Sequence, residues 1–122
     1  MARANHEDTL LRLAIREDAY VDAVLASDAA NLTASHQDAK THALVQLAAL
    51  VSVDATTPSY LASVEAARGS GATDDEIVGT LVALIPVVGV ARVVSAAPKL
   101  GLALGFDLTS ALEEIDGASV LL

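Results

Sequence analysis

Apolar residues recur along this chain at spacings of three and four, the rhythm of helices with one buried face. Leu10, Leu13, Ala14, Val21, Val24 and Leu25 keep that rhythm behind Asn5, a candidate N-cap ahead of His6, Glu7 and Asp8, so a first helix begins near residue 6. Arg16-Glu17-Asp18 reads equally as a turn between two short helices or as the solvated face of one. A break is expected across 30–34. Ser35, with Asp38 three residues on, then opens a helix carrying Ala43, Leu44, Leu47, Ala48, Leu50 and Val51, apolar over more than half its circumference.

Thr57-Pro58 has the cap-then-proline order of a helix start, and the glycines at 69 and 71 supply the stop, which predicts a helix over 58–68 with Leu61, Val64 and Ala67 on its apolar face. Thr73-Asp74-Asp75-Glu76 is the strongest local signal: a capping threonine, a glutamate three later that reaches back to it, and acids against the positive helix end. Pro86 removes an internal N–H and should kink the helix that follows. Pro98 lies inside the next apolar stretch, 92–104, which closes at Gly105, and residues 109–114 add a short C-terminal turn. The pattern predicts an all-α fold of about six helices in one domain over 1–122, with no internal repeat.

Composition agrees. The chain has 122 residues, 53% of them hydrophobic but only 2% aromatic, which excludes disorder, and Ala and Leu outnumber the β-branched residues. Seven basic residues against 16 acidic ones give a net charge of −9, which repels phosphate backbones and anionic membrane surfaces, so no nucleic-acid partner is expected. The absence of cysteine excludes disulfides, thiolate metal sites and thiol redox chemistry.

A mean hydropathy of +0.51 raises the question of a membrane span. The uncharged run 77–91 covers only about 22 Å at helical rise, against a hydrocarbon core of roughly 30 Å, and Arg92 closes it. It reads instead as a helix hydrophobic on nearly all sides, needing more cover than one small subunit gives, so a homo-oligomer is expected. Residues 1–8 lack an apolar run and carry acids early; no signal peptide and a cytoplasmic location are expected.

The order of features from Lys40 to Phe106 carries a resemblance. Lys40-Thr41, Leu44-Val45 and Leu47 to Ala49 are followed by a helix ending in Glu65-Ala66-Ala67, then Gly71-Ala72-Thr73, Glu76-Ile77 and an apolar helix reaching Gly89. This arrangement resembles the carboxymuconolactone decarboxylase family of the alkylhydroperoxidase D-like superfamily. The resemblance implies an all-helical fold, trimers or hexamers of small subunits, and pockets that can lie between them. Its thiol branch opens a helix with Cys-x-x-Cys-x-x-x-His. Here Thr56 and Ser59 stand at the thiol positions, Ser63 at the histidine and Ala43 near the relay carboxylate, so the family's peroxidase chemistry is excluded. The decarboxylase branch keeps a histidine near Ser63 and a proline at the place of Ala91, and this chain departs at both.

Candidate chemistry gathers around Arg92. Between Ile77 and Phe106 there is no acid, and the basic residues are Arg92 and Lys99. A guanidinium recognises carboxylates in bidentate fashion, so Arg92 either holds the carboxylate of a small organic acid or pairs with Asp54, Glu65 or Asp107. Tyr60 either donates to a substrate oxygen or bonds a backbone carbonyl. Ser59 and Ser63 share its helix with no activating base in the motif, which leaves capping, back-bonding or ligand contact as their roles. His6 and His36 sit at helix beginnings and read as exposed. His42 lies on a core helix and is the candidate base. No three ligands share a metal-binding spacing, and neither metal nor cofactor is expected. Three functions follow: an oligomeric binder of a small carboxylate without turnover; a non-redox enzyme acting on a small acid or lactone, with Arg92, Tyr60 and His42 in play; or a structural subunit that partners a catalytic relative.

Overall fold

The computed structural model describes residues 2–121, with side chains through Gly117. The described chain is all-helical, and it divides into two compact units, Met1–Asp38 and Ala39–Leu122. There are eight helices rather than six among the described residues. None of them is long and apolar enough to cross a membrane.

The amino-terminal unit contains α1 (Asn5–Ala14), α2 (Asp18–Leu25) and α3 (Asp28–Ser35). Asn5 is the first residue of α1 and not its cap; Ala4 holds the cap position, and Glu7 accepts from the Ala4 N–H at 3.2 Å. Arg16-Glu17-Asp18 is a turn. Arg16 adopts a left-handed φ of 52°, Leu13 O accepts from its N–H, and Arg12 O accepts from the Glu17 N–H at 2.8 Å, a Schellman closure. The break expected at 30–34 is instead the body of α3, started by Ser27, whose Oγ accepts from the Ala30 N–H. Ser35 ends α3 rather than capping the helix after it, and its Oγ donates to Leu32 O at 2.7 Å.

The second unit contains α4 (Ala39–Ser52), α5 (Thr57–Gly69), α6 (Asp74–Val88), α7 (Val90–Leu104) and α8 (Leu108–Leu121). Its core draws Ala43, Leu47 and Val51 from α4, four apart as one helix face requires. Tyr60, Val64 and Ala67 come from α5, Ile77 and Leu81 from α6, and Val93, Ala96 and Leu100 from α7. α7 is the central member, packed against α4, α5, α6 and α8.

The caps explain why these elements start and stop where they do. Thr56 rather than Thr57 precedes α5, with Pro58 in its first turn, where a missing N–H costs nothing. Thr73 Oγ1 accepts from the Glu76 N–H at 3.1 Å while Glu76 accepts from the Thr73 N–H at 3.0 Å, the reciprocal box expected there. Gly71 and Gly105 take the left-handed positions that end α5 and α7. Pro86 and Pro98 both remain inside their helices, and the break between α6 and α7 falls at Gly89, whose φ of 91° suits glycine. The C-terminal segment is the full helix α8 and not a short turn; Asp107 opens it by accepting from the Ser110 N–H and hydroxyl.

Candidate functional site

α4 ends in a turn that no glycine makes. Asp54 takes the left-handed position at φ 54°, Val51 O accepts from its N–H, and Leu50 O accepts from the Ala55 N–H at 3.0 Å. Aspartate is among the few side chains that tolerate this conformation. The turn delivers the Asp54 carboxylate to α7, where residues three and four apart share one face. Ser95 Oγ donates to Asp54 Oδ1 at 3.1 Å, and Lys99 Nζ donates to the same oxygen at 3.1 Å. Lys99 also donates to Ala55 O, the carbonyl beside it, at 3.1 Å. Arg92 Nη1 stands 3.9 Å from Asp54 Oδ2, at the outer limit of an ion pair.

Of the three acids open to Arg92 in the sequence, the structure pairs it with Asp54. Two cations share that one carboxylate, and the nearer is Lys99. The Lys99 hydrogen bond, then that of Ser95, hold the Asp54 carboxyl below the usual carboxylate range. Arg92 has 43% of its side chain exposed, and among the described residues its ion pair is the long one to Asp54.

Tyr60 lies in the first turn of α5 and is wholly buried, yet its hydroxyl has no hydrogen-bond partner. Burial, and then the negative charge of Asp54, push the phenol above its ordinary value. Ser63, three residues on and therefore on the same side of α5, also buries an unpartnered hydroxyl. Ser59, the residue before Tyr60, is half-buried, and its N–H donates to Thr56 O at 3.1 Å. Buried polar groups are nearly always paired, because an unpaired one forfeits its bonds to water for nothing. Two such atoms one helical turn apart, that of Tyr60 in the field of Asp54, are the chemically unusual feature of this unit.

The structure brings Asp54 and Arg92 together, and couples Tyr60 to Asp54 through charge. Gln46 Nε2 lies 3.4 Å from His42 Nε2, one turn along α4, and neither Tyr60 nor Ser63 is hydrogen-bonded to the imidazole. The hydroxyls of Tyr60 and Ser63 thus have no base hydrogen-bonded to them, whereas that of Ser95 donates to the Asp54 carboxylate. Ser95 was invisible to sequence reasoning. Its signal was the spacing Arg92, Ser95, Lys99, three then four, on a helix otherwise apolar.

The acids at the start of α6 serve the fold. Arg68 holds Asp74 through two bonds, at 2.9 and 3.0 Å, and donates to Leu104 O at the end of α7. Lys40 Nζ donates to Glu76 Oε2 at 2.9 Å. Among the described residues no three His, Asp or Glu side chains are grouped to hold a metal ion.

No family model, curated protein or solved structure matches this chain.

Proposed function

We propose that this chain is an oligomeric binding protein of the carboxymuconolactone decarboxylase type, on an alkylhydroperoxidase D-like scaffold, that holds a small carboxylate and does not turn it over. The observation that carries the reading is the pair of buried, unpartnered hydroxyls of Tyr60 and Ser63 on one side of α5, Tyr60 lying in the field of a carboxylate shared by two cations. A ligand carboxylate reaching Arg92 would find a guanidinium edge, and α5 hydroxyls opened to it would gain the partner they lack. The positions also coincide with the motif of the resemblance: Ser63 stands where the family places its histidine, and Thr56 and Ser59 where it places thiols. Hydroxyls with no base beside them bind oxygen but do not attack it.

Self-association is supported by an uncovered apolar stripe. Val82, Val87, Val90 and Val94 are 64%, 81%, 63% and 64% exposed, apolar surface along α6 and α7 of the kind that subunit interfaces cover. A second copy is the occupant we assign, in a trimer or hexamer.

Calorimetry with a panel of small mono- and dicarboxylates tests the ligand, and light scattering tests the assembly. Saturable binding of at least one acid, weakened about tenfold or more in Arg92→Met, is the expected result. Equal affinity in Arg92→Met, or a monomer at micromolar concentration, would remove the corresponding half of the reading.

A further inference from the structure

The amino-terminal unit contains a feature that the cluster around Asp54 does not explain. An open cleft of about 770 Å³ lies among α1, α2 and α3, within the size range of small-molecule sites. Leu10 and Leu13 of α1 and Val24 of α2 supply its apolar wall, and Tyr20, His6 and His36 its polar rim. Leu10 and Leu13 are 63% and 55% exposed. A smaller recess of about 240 Å³ adjoins it, sharing Tyr20 and His36 and adding Arg12 and Asp8.

The charges here run against those of the whole molecule. No Asp or Glu lines the larger cleft, in a chain with 16 acids. In the recess Asp8 is already neutralised, because Arg3 Nε donates to its Oδ1 at 2.9 Å. Arg12 forms no ion pair with any described residue. Its guanidinium carbon sits 5.6 Å from the centre of the Tyr20 ring, a cation–π contact. His36 is held at a left-handed φ of 56° at the end of α3, a conformation that costs energy for any side chain and brings its imidazole to the rim.

A guanidinium without an ion pair, in a recess that adjoins an apolar wall, is the arrangement that recognises an anion carrying a hydrocarbon tail. We propose that the amino-terminal unit binds an apolar monocarboxylate of medium chain length, its tail against Leu10, Leu13 and Val24 and its carboxylate on Arg12. The imidazoles of His6 and His36 and the Tyr20 hydroxyl stand at the rim as further donors to the head group. The site is independent of the one at Arg92: every lining residue belongs to α1–α3 or the segments joining and flanking them, and the ligand differs in needing a tail.

Decanoate, below its critical micelle concentration, is the probe, titrated into the full isotope-labelled chain by amide NMR and calorimetry. The expected result is saturable binding with shifts at Leu10, Leu13, Tyr20, Val24 and His36. Affinity should fall at least tenfold in Arg12→Gln and hold in Arg16→Gln, which removes the same charge from the neighbouring turn. Decanol should bind the unmodified chain at least tenfold more weakly than decanoate, a comparison that needs no variant to fold. Shifts confined to residues 39–117, equal affinities for decanoate and decanol, or equal losses in the two arginine variants would each overturn the proposal. So would shifts of the cleft residues on simple dilution without ligand, which would give the cleft to a second copy.

Discussion

Lys40 Nζ lies 2.9 Å from Glu76 Oε2, so the first turn of α4 is tied to the glutamate that also completes the capping box of α6. One carboxyl group thereby serves two helices. The hydrogen bond from Lys40, and next the Thr73 N–H, lower the Glu76 pKa from 4.5 to about 2. A carboxyl whose folded pKa is depressed contributes stability above its unfolded pKa and loses it as pH falls through the folded one. The Glu76 contribution is therefore complete above pH 4.5 and disappears as pH falls toward about 2. Urea midpoints measured across that window should drop more steeply for the unmodified chain than for Glu76→Gln. Parallel curves would mean that Lys40 and Glu76 do not interact in solution.

Tyr60→Phe removes a hydroxyl that is buried and bonded to nothing. The substitution keeps the ring, so the unliganded protein should be as stable as before or gain up to about 1 kcal/mol, while affinity for the small acid falls. Chemical denaturation and calorimetry on the same preparation check both halves. A stability loss above about 1 kcal/mol would show that the hydroxyl has a partner in the folded state.

Gly101 is buried in α7 where α8 returns across it. A Cβ at this position would stand 2.9 Å from Leu108 Cδ1 and 3.0 Å from Phe106 O. Helix propensity favours alanine by about 1 kcal/mol, whereas overpacking against a backbone oxygen costs typically 1–3 kcal/mol. Gly101→Ala should therefore be destabilised by on the order of 1 kcal/mol in equilibrium urea unfolding. A stabilised variant would mean that α8 swings away at no cost.

The two left-handed residues that end α1 and α4 should respond oppositely to glycine. At Arg16 nothing but the backbone is at stake, so Arg16→Gly should raise stability by about 1 kcal/mol through relief of the left-handed strain. At Asp54 the same relief is set against the loss of the carboxylate that holds Ser95 and Lys99, and Asp54→Gly should lower the thermal midpoint. Differential scanning calorimetry of the two variants distinguishes them; a gain in both would mean that the Asp54 cluster contributes nothing to the fold.

These same two turns mark where the chain could be read from its letters and where it could not. Gly71, Gly105 and the Thr73 box announced their helix ends because glycine suits the left-handed position and threonine with glutamate three later suits the cap. Arg16 and Asp54 close helices with identical hydrogen bonds, but an arginine or aspartate in such a place looks like any solvated residue. α3 was hidden for a related reason. Asn31 and Thr33 are weak helix formers that read as a break, and their cost is met by the Ser27 cap and by packing against α2. The candidate site was half legible: the isolation of Arg92 in an apolar stretch was visible, and so were three acids that could meet it. Choosing Asp54 among them required the backbone reversal that aims its side chain at α7, a relation across 38 positions that no local pattern carries.

The helices α1, α2 and α3 contain no fully buried side chain. Their amides should consequently be the first to trade protons for deuterons, long before those of α4 and α7, because little apolar surface is exposed when this unit opens. A molecule seated in the cleft would slow that exchange by its own binding energy and leave the remainder of the protein unchanged. The helices with the least buried surface are thus the ones whose protection would report most sensitively on a ligand in the cleft.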